Sequence, residues 1–175
     1  MIARFLALLA IAALATGAGD PNDPSKAASI EERPGARIPL DRPFVNSAGK
    51  TVTLRQIGGG KPLLITPVQH ECPNICGVTL AGITGAIDGQ AKYRPGRDFA
   101  IVALGIDPRE GSVQARDDLG RLAAQRRGAN WQPVALTGSD DAIHAVSDAL
   151  GYRYAWSDQL RQCAHLSATA LLTPD

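Results

Sequence analysis

Short apolar runs alternate with amphipathic stretches along most of the chain. Residues 62–66 and 99–106 form apolar runs of the length that is typical of buried central strands. After the first run, Leu80, Ile83 and Ile87 recur at helical spacing. Strands that alternate with helices predict a layered α/β domain with a partly parallel sheet.

The second half of the chain continues this alternation. Apolar positions in residues 113–122 follow helical spacing, and residues 131–136 have a strand-like pattern. Ser139 is a typical N-cap residue, so we expect a further helix to begin there. Gly151 is the residue type that commonly ends a helix.

Two pairs of short strands are predicted to form hairpins. Near the start of the domain, residues 44–45 and 51–54 flank a turn-forming segment. Near the end, residues 152–156 and 166–173 are strand-like, and we expect them to pair with each other. A closing hairpin favours a thioredoxin-like arrangement. The predicted fold class is therefore α/β, a thioredoxin-like three-layer fold with a mixed central sheet and an N-terminal β-hairpin.

The N-terminus has the pattern of a secretory signal. Arg4 supplies a positive charge, residues 5–15 are uninterrupted apolar, and small residues follow up to Ala18. A spanning helix usually needs ~20 apolar residues, and this run is shorter, which favours a cleaved signal. The alternative is an uncleaved segment that anchors the protein to the outer face of the inner membrane. We expect an exported, periplasmic protein that can associate with the membrane through this segment.

The domain boundaries follow from these patterns. Residues 1–18 are predicted to be the signal, and residues 19–36, rich in Pro, Asp and Ser, a flexible tether. Residues 37–175 are predicted to form one domain of ordinary size.

Composition narrows the function further. The chain carries 18 Lys and Arg against 17 Asp and Glu, with a formal net charge of +1. Nucleic-acid binding needs a concentrated basic face, so no nucleic-acid partner is expected. The chain has 3 cysteines. Because this number is odd, at least one thiol of an exported chain is reduced, bound to metal or paired with another molecule.

The main chemical signal is the C-x3-C loop of Cys72 and Cys76, placed where a central strand turns into a helix. Thiolates are soft ligands for Cu(I), zinc or iron–sulfur clusters, and a helix N-terminus favours the thiolate. A redox pair is a second interpretation. A purely structural disulfide is a third, although so short a loop contributes little loop-closure stabilisation.

A third ligand has to come from elsewhere in the chain. His165 is the best candidate, because it precedes a strand that a thioredoxin-like fold brings opposite the cysteine loop. His144 is interpreted as a surface histidine, and His70 as a minor alternative ligand. Cys163, two residues before His165, is a possible backup ligand.

The flanking sequence resembles the Sco/SenC family of copper-binding proteins, which assemble the binuclear copper centre of cytochrome c oxidase. The similarity runs from about Pro43 to the end of the chain. It includes the segments 60–65 (GKPLLI), 72–76 (CPNIC), 105–108 (GIDP), 131–138 and 165–167 (HLS). This resemblance implies that Cys72, Cys76 and His165 are copper ligands for Cu(I) or Cu(II), and that Asp107 lies near the site. It also implies a last helix, which the domain is expected to lack.

Three functions are compatible with these residues. A metallochaperone would pass copper to an oxidase subunit, with another copper carrier or a thiol reductant as a further partner. A thiol–disulfide oxidoreductase would need Cys72 and Cys76 but no histidine. A copper or redox sensor is the third. A zinc site is less favoured, because no fourth ligand is evident and copper outcompetes zinc at such donors.

Overall fold

The structure, a computed structural model, describes residues 26–72, 75–126 and 130–174, without the side chains of residues 75 and 76. The strands are β1 (Ser29–Ile30), β2 (Phe44–Asn46), β3 (Thr51–Val52), β4 (Leu63–Val68), β5 (Ala100–Gly105), β6 (Val134–Gly138), β7 (Tyr152–Arg153), β8 (Ala155–Ser157), β9 (Gln162–Ala164) and β10 (Ala170–Leu172). The helices are α1 (Leu54–Gly58), α2 (Ile75–Asp88), α3 (Ser112–Gln125) and α4 (Asp140–Ala149).

A mixed six-stranded sheet forms the middle layer, in the order β10-β4-β5-β6-β2-β3. Strands β4, β5 and β6 are parallel, and β10 and β2 pair antiparallel at their two sides. Successive residues of β5 point to opposite faces, as a strand requires. Val102 packs in a cluster with Ile143 and Val146 of α4, whereas Ala103 packs in another with Leu80 of α2. The predicted three-layer, thioredoxin-like α/β fold is confirmed.

The predicted N-terminal hairpin is confirmed, but its second strand is shorter than expected. Phe44 pairs with Val52, and Val45 with Thr51. Thr53 instead caps α1: its hydroxyl accepts the N–H of Gln56, whose side chain accepts the N–H of Thr53. This capping box draws the following residues into a helix.

The predicted C-terminal hairpin is wrong. Strand β8 pairs with β9, and β10 instead runs antiparallel to β4, with Ala170 opposite Ile65. The turn between β8 and β9 includes Arg161, with φ of 50°, where glycine would be the usual signal. Because this turn lacks that signal, the sequence pattern did not predict β9, and it extended the last strand forward to residue 166, whereas β10 begins at Ala170.

Part of the stretch predicted to be a tether contacts the domain. Strand β1 pairs with β7, and the N–H of Glu31 donates to the carbonyl of Gly151 at 2.8 Å. The folded contacts therefore reach back to Ser29, before the predicted boundary at residue 37. The predicted signal, residues 1–18, lies outside the described residues. Within the described ranges, every helix is too short or too polar to cross a membrane.

Candidate metal centre

Cys72 lies in the turn that joins the central strand β4 to helix α2. Its N–H donates to the carbonyl of Gln69 at 3.1 Å, which closes the turn after the strand ends at Val68. The side chain of Cys72 is half-buried and packs against the cluster between the sheet and helices α2 and α3. Cys76 is the second residue of α2, and its side chain lies outside the described residues.

His165 lies between β9 and β10, in a segment that reaches both the central strand and α2. The hydroxyl of Ser167 is 2.9 Å from that of Thr79 in α2. The hydroxyl of Thr169 is 3.0 Å from that of Thr66 in β4. Because β10 runs antiparallel to β4, the segment before β10 lies at the carboxyl end of β4, where the cysteine loop begins. The structure thus brings the His165 segment to the helix that follows Cys72.

The imidazole of His165 is held on one side by the protein. Its Nδ1 lies 3.1 Å from the hydroxyl of Tyr152 and 3.2 Å from the carbonyl of Leu166. The Tyr152 hydroxyl itself donates to that carbonyl at 2.8 Å, so it can only accept from Nδ1. Nδ1 therefore carries the hydrogen, and the lone pair of the neutral ring is on Nε2, as a metal ligand requires.

His70 is not arranged as a ligand. Its side chain is buried, with Nδ1 2.9 Å from Oδ2 of Asp118 and Nε2 3.1 Å from the carbonyl of Leu136. Burial opposes a charge on this ring, but hydrogen bonds from both nitrogens outweigh it and hold the pKa of His70 above its ordinary value. An imidazolium with two acceptors has no lone pair for a metal. The structure speaks against the minor alternative that His70 is a ligand.

His144 is a surface residue, as predicted. It lies on α4 with about half of its side chain exposed, and its Nε2 is 3.5 Å from Asp140. Its ring stacks on that of Tyr154 with centroids 5.3 Å apart. Helices α2 and α4 pack on opposite faces of the sheet, so His144 on α4 is separated by the sheet from α2, the helix that follows the cysteine loop.

Two acidic residues that follow β5 support the cysteine loop. Glu110 accepts the N–H groups of His70 and Glu71 with its two carboxylate oxygens, at 2.9 and 2.7 Å. Burial raises the pKa of Glu110, although these two hydrogen bonds act in the opposite direction. Asp107 is buried and accepts two hydrogen bonds from the Arg109 guanidinium. Burial opposes its charge, but the Arg109 bonds outweigh this and lower the pKa of Asp107.

Cys163 is buried in the main core and forms no disulfide. Burial raises the pKa of its thiol to about 12, and nearby Asp107 acts in the same direction. A group with this pKa is a thiol at neutral pH, whereas metals bind the thiolate.

Only two of the three predicted ligands have side chains in the described part of the structure, and both are donors that suit a soft metal ion. Among the described residues, no three His, Cys, Asp or Glu side chains lie close enough together to hold a metal ion. Of the predicted ligands, this range includes the side chains of Cys72 and His165 but not that of Cys76. One sulfur and one neutral imidazole are donors of the types that copper accepts.

Three supporting residues were missed by sequence reasoning: Tyr152, Glu110 and Asp118. Each is buried and has a polar group that bonds a residue distant in sequence. Asp118, for example, bonds His70, which lies 48 positions earlier in the chain. Hydrophobic periodicity does not reveal such residues, because it reports which positions are apolar. The only available signal was the position of Glu110, two residues after the segment 105–108.

A three-layer α/β fold with a cysteine loop between its central strand and a helix defines a thioredoxin-like protein. The chain matches the SCO1/SenC family over residues 32–175, and it belongs to that family. No curated protein has a sequence that matches the chain.

Several solved structures share this fold. A putative electron transfer protein from Aquifex aeolicus has a TM-score of 0.67 at 21% identity, over 80% of this chain and 78% of its own. Arabidopsis thaliana ScoI with copper bound has a TM-score of 0.61 at 24% identity, over 76% and 79%. BsSco from Bacillus, described as a Sco-family cytochrome c oxidase assembly protein with a disulfide switch, has a TM-score of 0.58 at 21% identity, over 83% and 82%. At these identities the likeness shows the fold.

Proposed function

We propose that this protein binds copper through Cys72, Cys76 and His165. It delivers the ion to the copper centre of a respiratory cytochrome c oxidase, or prepares the cysteines of that centre. The observation that carries the proposal is the arrangement of His165. Its Nδ1 is held by Tyr152, and its segment is hydrogen-bonded through Ser167 to the helix that carries Cys76. Family membership and copper-bound relatives such as Arabidopsis ScoI support the same assignment.

The donor set suits copper as a cargo. Two thiolates satisfy Cu(I), and an added imidazole allows the site to hold Cu(II) as well. Cys72 lies just before the N-terminus of α2, and the helix dipole there favours a thiolate. The protein's part is to hold the imidazole by Nδ1, so that Nε2 is the nitrogen available to the metal, and to support the cysteine loop through Glu110.

The surface near this site supports transfer to a partner. Val78 in α2 is 70% exposed and Leu166, beside His165, is 43% exposed. Between them, Thr79 and Ser167 join the two segments. Exposed apolar side chains beside a cargo site are suited to transient contact with the copper-receiving subunit.

The cellular location is proposed from the sequence of residues 1–18. A secretory signal would place the domain in the periplasm, and a retained signal would anchor it to the outer face of the inner membrane. Export would place the protein on the side of the membrane where cysteine pairs are readily oxidised. Fractionation of cells with an antibody to the domain separates a cleaved protein from an anchored one.

Copper titration of the reduced protein tests the function. We expect one copper per chain, with a thiolate-to-Cu(II) charge-transfer band in the visible range. His165→Ala should remove stable Cu(II) binding, whereas His144→Ala, which changes a histidine remote from α2, should leave the spectrum unchanged. Oxidation of Cys72 and Cys76 to a disulfide should also prevent loading. A fully reduced protein without copper would refute the proposal.

The same variant tests the alternative of a thiol–disulfide oxidoreductase. In that reaction Cys72 and Cys76 would be oxidised to a disulfide while a partner disulfide is reduced to two thiols. His165→Ala would leave this exchange intact, because it needs only the two sulfurs. A protein whose effect on oxidase assembly survives His165→Ala therefore acts as a reductase rather than as a copper carrier.

A further inference from the structure

Gln69 joins the two halves of the proposed metal centre. It follows β4 directly and is 6% exposed. Its carbonyl accepts the N–H of Cys72 at 3.1 Å, and its side-chain Oε1 accepts the N–H of Cys163 at 3.0 Å. Its Nε2 donates to Oδ2 of Asp107 at 3.2 Å. The same residue thus contacts the backbone of the cysteine loop and that of the strand before His165.

The orientation of the Gln69 amide is fixed by its partners. A backbone N–H can only donate, so the atom facing Cys163 must be the oxygen. Both oxygens of Asp107 accept hydrogen bonds from the Arg109 guanidinium, which favours the ionised carboxylate, so this group accepts from Gln69. A flipped amide would place donor against donor and acceptor against acceptor. Each polar atom of the buried side chain therefore has its complement, which removes most of the cost of burying it.

The contacts of Gln69 continue through neighbouring side chains to strands β8 and β9, which form the β8–β9 hairpin, and close into a ring. The Arg109 guanidinium bonds both oxygens of Asp107, at 2.7 and 2.6 Å. Its central carbon also lies 3.3 Å from the ring centroid of Trp156. Trp156 in β8 is the direct cross-strand partner of Cys163 in β9. The path from Gln69 through Asp107, Arg109, Trp156 and Cys163 returns to Gln69.

This ring matters because its hydrogen bonds add to the core packing of Cys163 in holding the β8–β9 hairpin beside the cysteine loop. Strands β8 and β9 form a separate two-stranded sheet in the described structure, outside the six-stranded one. The position of β9 therefore depends on side-chain contacts rather than on a strand ladder. His165 follows β9 directly, so the position of β9 sets where the chain meets Tyr152 and α2, which hold the imidazole and its segment.

We infer that Gln69 is a positioning residue, which sets the position of His165 relative to the cysteine loop through its hydrogen bonds to Cys72 and Cys163. This inference rests on the proposed function for its consequence, because positioned donors bind a metal more tightly than loose ones. The hydrogen bonds themselves are independent of any metal. Gln69 is expected to affect Cu(II), which needs the imidazole, more than Cu(I), which the two thiolates can hold.

The test uses Gln69→Met, which keeps the volume of the side chain and removes both of its hydrogen bonds. In the metal-free protein, hydrogen exchange of the Cys163 amide should become at least about tenfold faster. In the loaded protein, Cu(II) affinity should fall about 10- to 100-fold and the charge-transfer spectrum should change. Thr84→Val is the matched control. Its buried hydroxyl bonds only carbonyls of its own helix, so this variant should leave both readouts unchanged.

A second variant decides the matter if Gln69→Met fails to fold. Arg109→Gln changes a side chain that is 55% exposed, so folding tolerates it, but it opens the ring at the Asp107 and Trp156 contacts. It should speed Cys163 exchange and weaken Cu(II) binding in the same direction, by a smaller factor. Wild-type exchange and wild-type spectra in both variants would overturn the inference. If the wild-type protein binds no copper, the proposed function fails, and the exchange of Cys163 alone decides whether Gln69 holds β9.

Discussion

The hydroxyl of Tyr152 lies 3.1 Å from Nδ1 of His165 and donates to the carbonyl of Leu166 at 2.8 Å. This single hydroxyl therefore fixes both the ring of the proposed ligand and the backbone that follows it. Groups that bond the second nitrogen of a ligand histidine set its tautomer and orientation.

Tyr152→Phe should weaken Cu(II) binding about 10-fold or more, because Nδ1 loses the closer of its two oxygen partners and the Leu166 carbonyl loses the hydroxyl that holds it. The free energy of unfolding should fall by about 1–3 kcal/mol, because the variant removes two hydrogen bonds that typically contribute about 0.5–1.5 kcal/mol each. Tyr154→Phe is a matched control, since the buried Tyr154 hydroxyl has no hydrogen-bond partner in the described structure. Competition titration with a Cu(II) chelator measures the affinities. Equal affinities in the two variants would contradict the role of Tyr152.

Asp118→Asn should destabilise the metal-free protein by about 3–5 kcal/mol, the usual effect of removing one partner from a buried ion pair. The buried His70 ring would then lose the carboxylate that bonds its Nδ1 at 2.9 Å. Urea unfolding measures the change. The neighbouring Asp117→Asn alters an exposed carboxylate and should stay within about 0.5 kcal/mol of wild type. Similar losses in both variants would show that the His70–Asp118 pair is not the cause.

The contribution of Asp107 to stability should disappear in acid. Its pKa is lower in the folded state than in the unfolded chain, because the Arg109 bonds outweigh the effect of burial. The stabilisation is therefore complete above the ordinary value of about 3.9 and is lost as pH falls through the folded value. The difference in unfolding free energy between wild type and Asp107→Asn should be constant from pH 7 to about pH 5 and should narrow below about pH 4. A difference that widens in acid would mean that the sign of the shift is wrong.

Gly151→Ala should destabilise the fold more than Gly35→Ala. Both glycines have positive φ, 70° and 78°, where an L-residue costs about 1–2 kcal/mol. A Cβ at Gly151 would also overlap the carbonyl oxygen of Glu31, whereas a Cβ at Gly35 meets nothing within 4 Å. Thermal unfolding gives the two losses, and hydrogen exchange at Glu31 reports whether β1 has detached. Equal losses would mean that the β1 contact is not formed in solution.

Cys163 should resist alkylation in the folded protein. With a pKa of about 12, only about one molecule in ten thousand carries the thiolate at pH 8. Cys163→Ser should accordingly bind copper with the wild-type spectrum. Mass spectrometry after brief iodoacetamide treatment, with and without urea, measures the protection. If Cys163→Ser loses copper as completely as Cys72→Ser, the site contains three sulfurs.

The buried centre of the fold could be predicted from the sequence because burial on both faces leaves a uniform apolar run. Residues 62–66 and 99–106 correspond closely to Leu63–Val68 and Ala100–Gly105. Ser139 was also predicted correctly, and its hydroxyl accepts the N–H of Ala142. In each case the signal is local to the element that it specifies.

The partner of β10 could not be predicted in this way. Leu171 is 65% exposed and its neighbours Ala170 and Leu172 are only half-buried, so the strand lacks the fully buried apolar run that would mark its position, and its partner β4 lies far back in the chain. The supporting residues of the site were hidden for a related reason. Whether Gln69 or Asp118 is buried depends on partners that only the tertiary structure brings near, and an alternation of apolar and polar residues does not record them.

The pairing of β10 with β4 has a consequence for the order in which the molecule matures. Gln69 and Cys163 are 94 positions apart, and β10 comes later still. A chain that emerges from its N-terminus, during synthesis or translocation, presents its two loop cysteines well before its final imidazole. During that interval the thiols lack the imidazole of His165 and are open to oxidation. In the proposed arrangement, a reductant is needed while the chain emerges as well as during later copper transfer. Copper can be bound by all three proposed ligands only after the chain is complete.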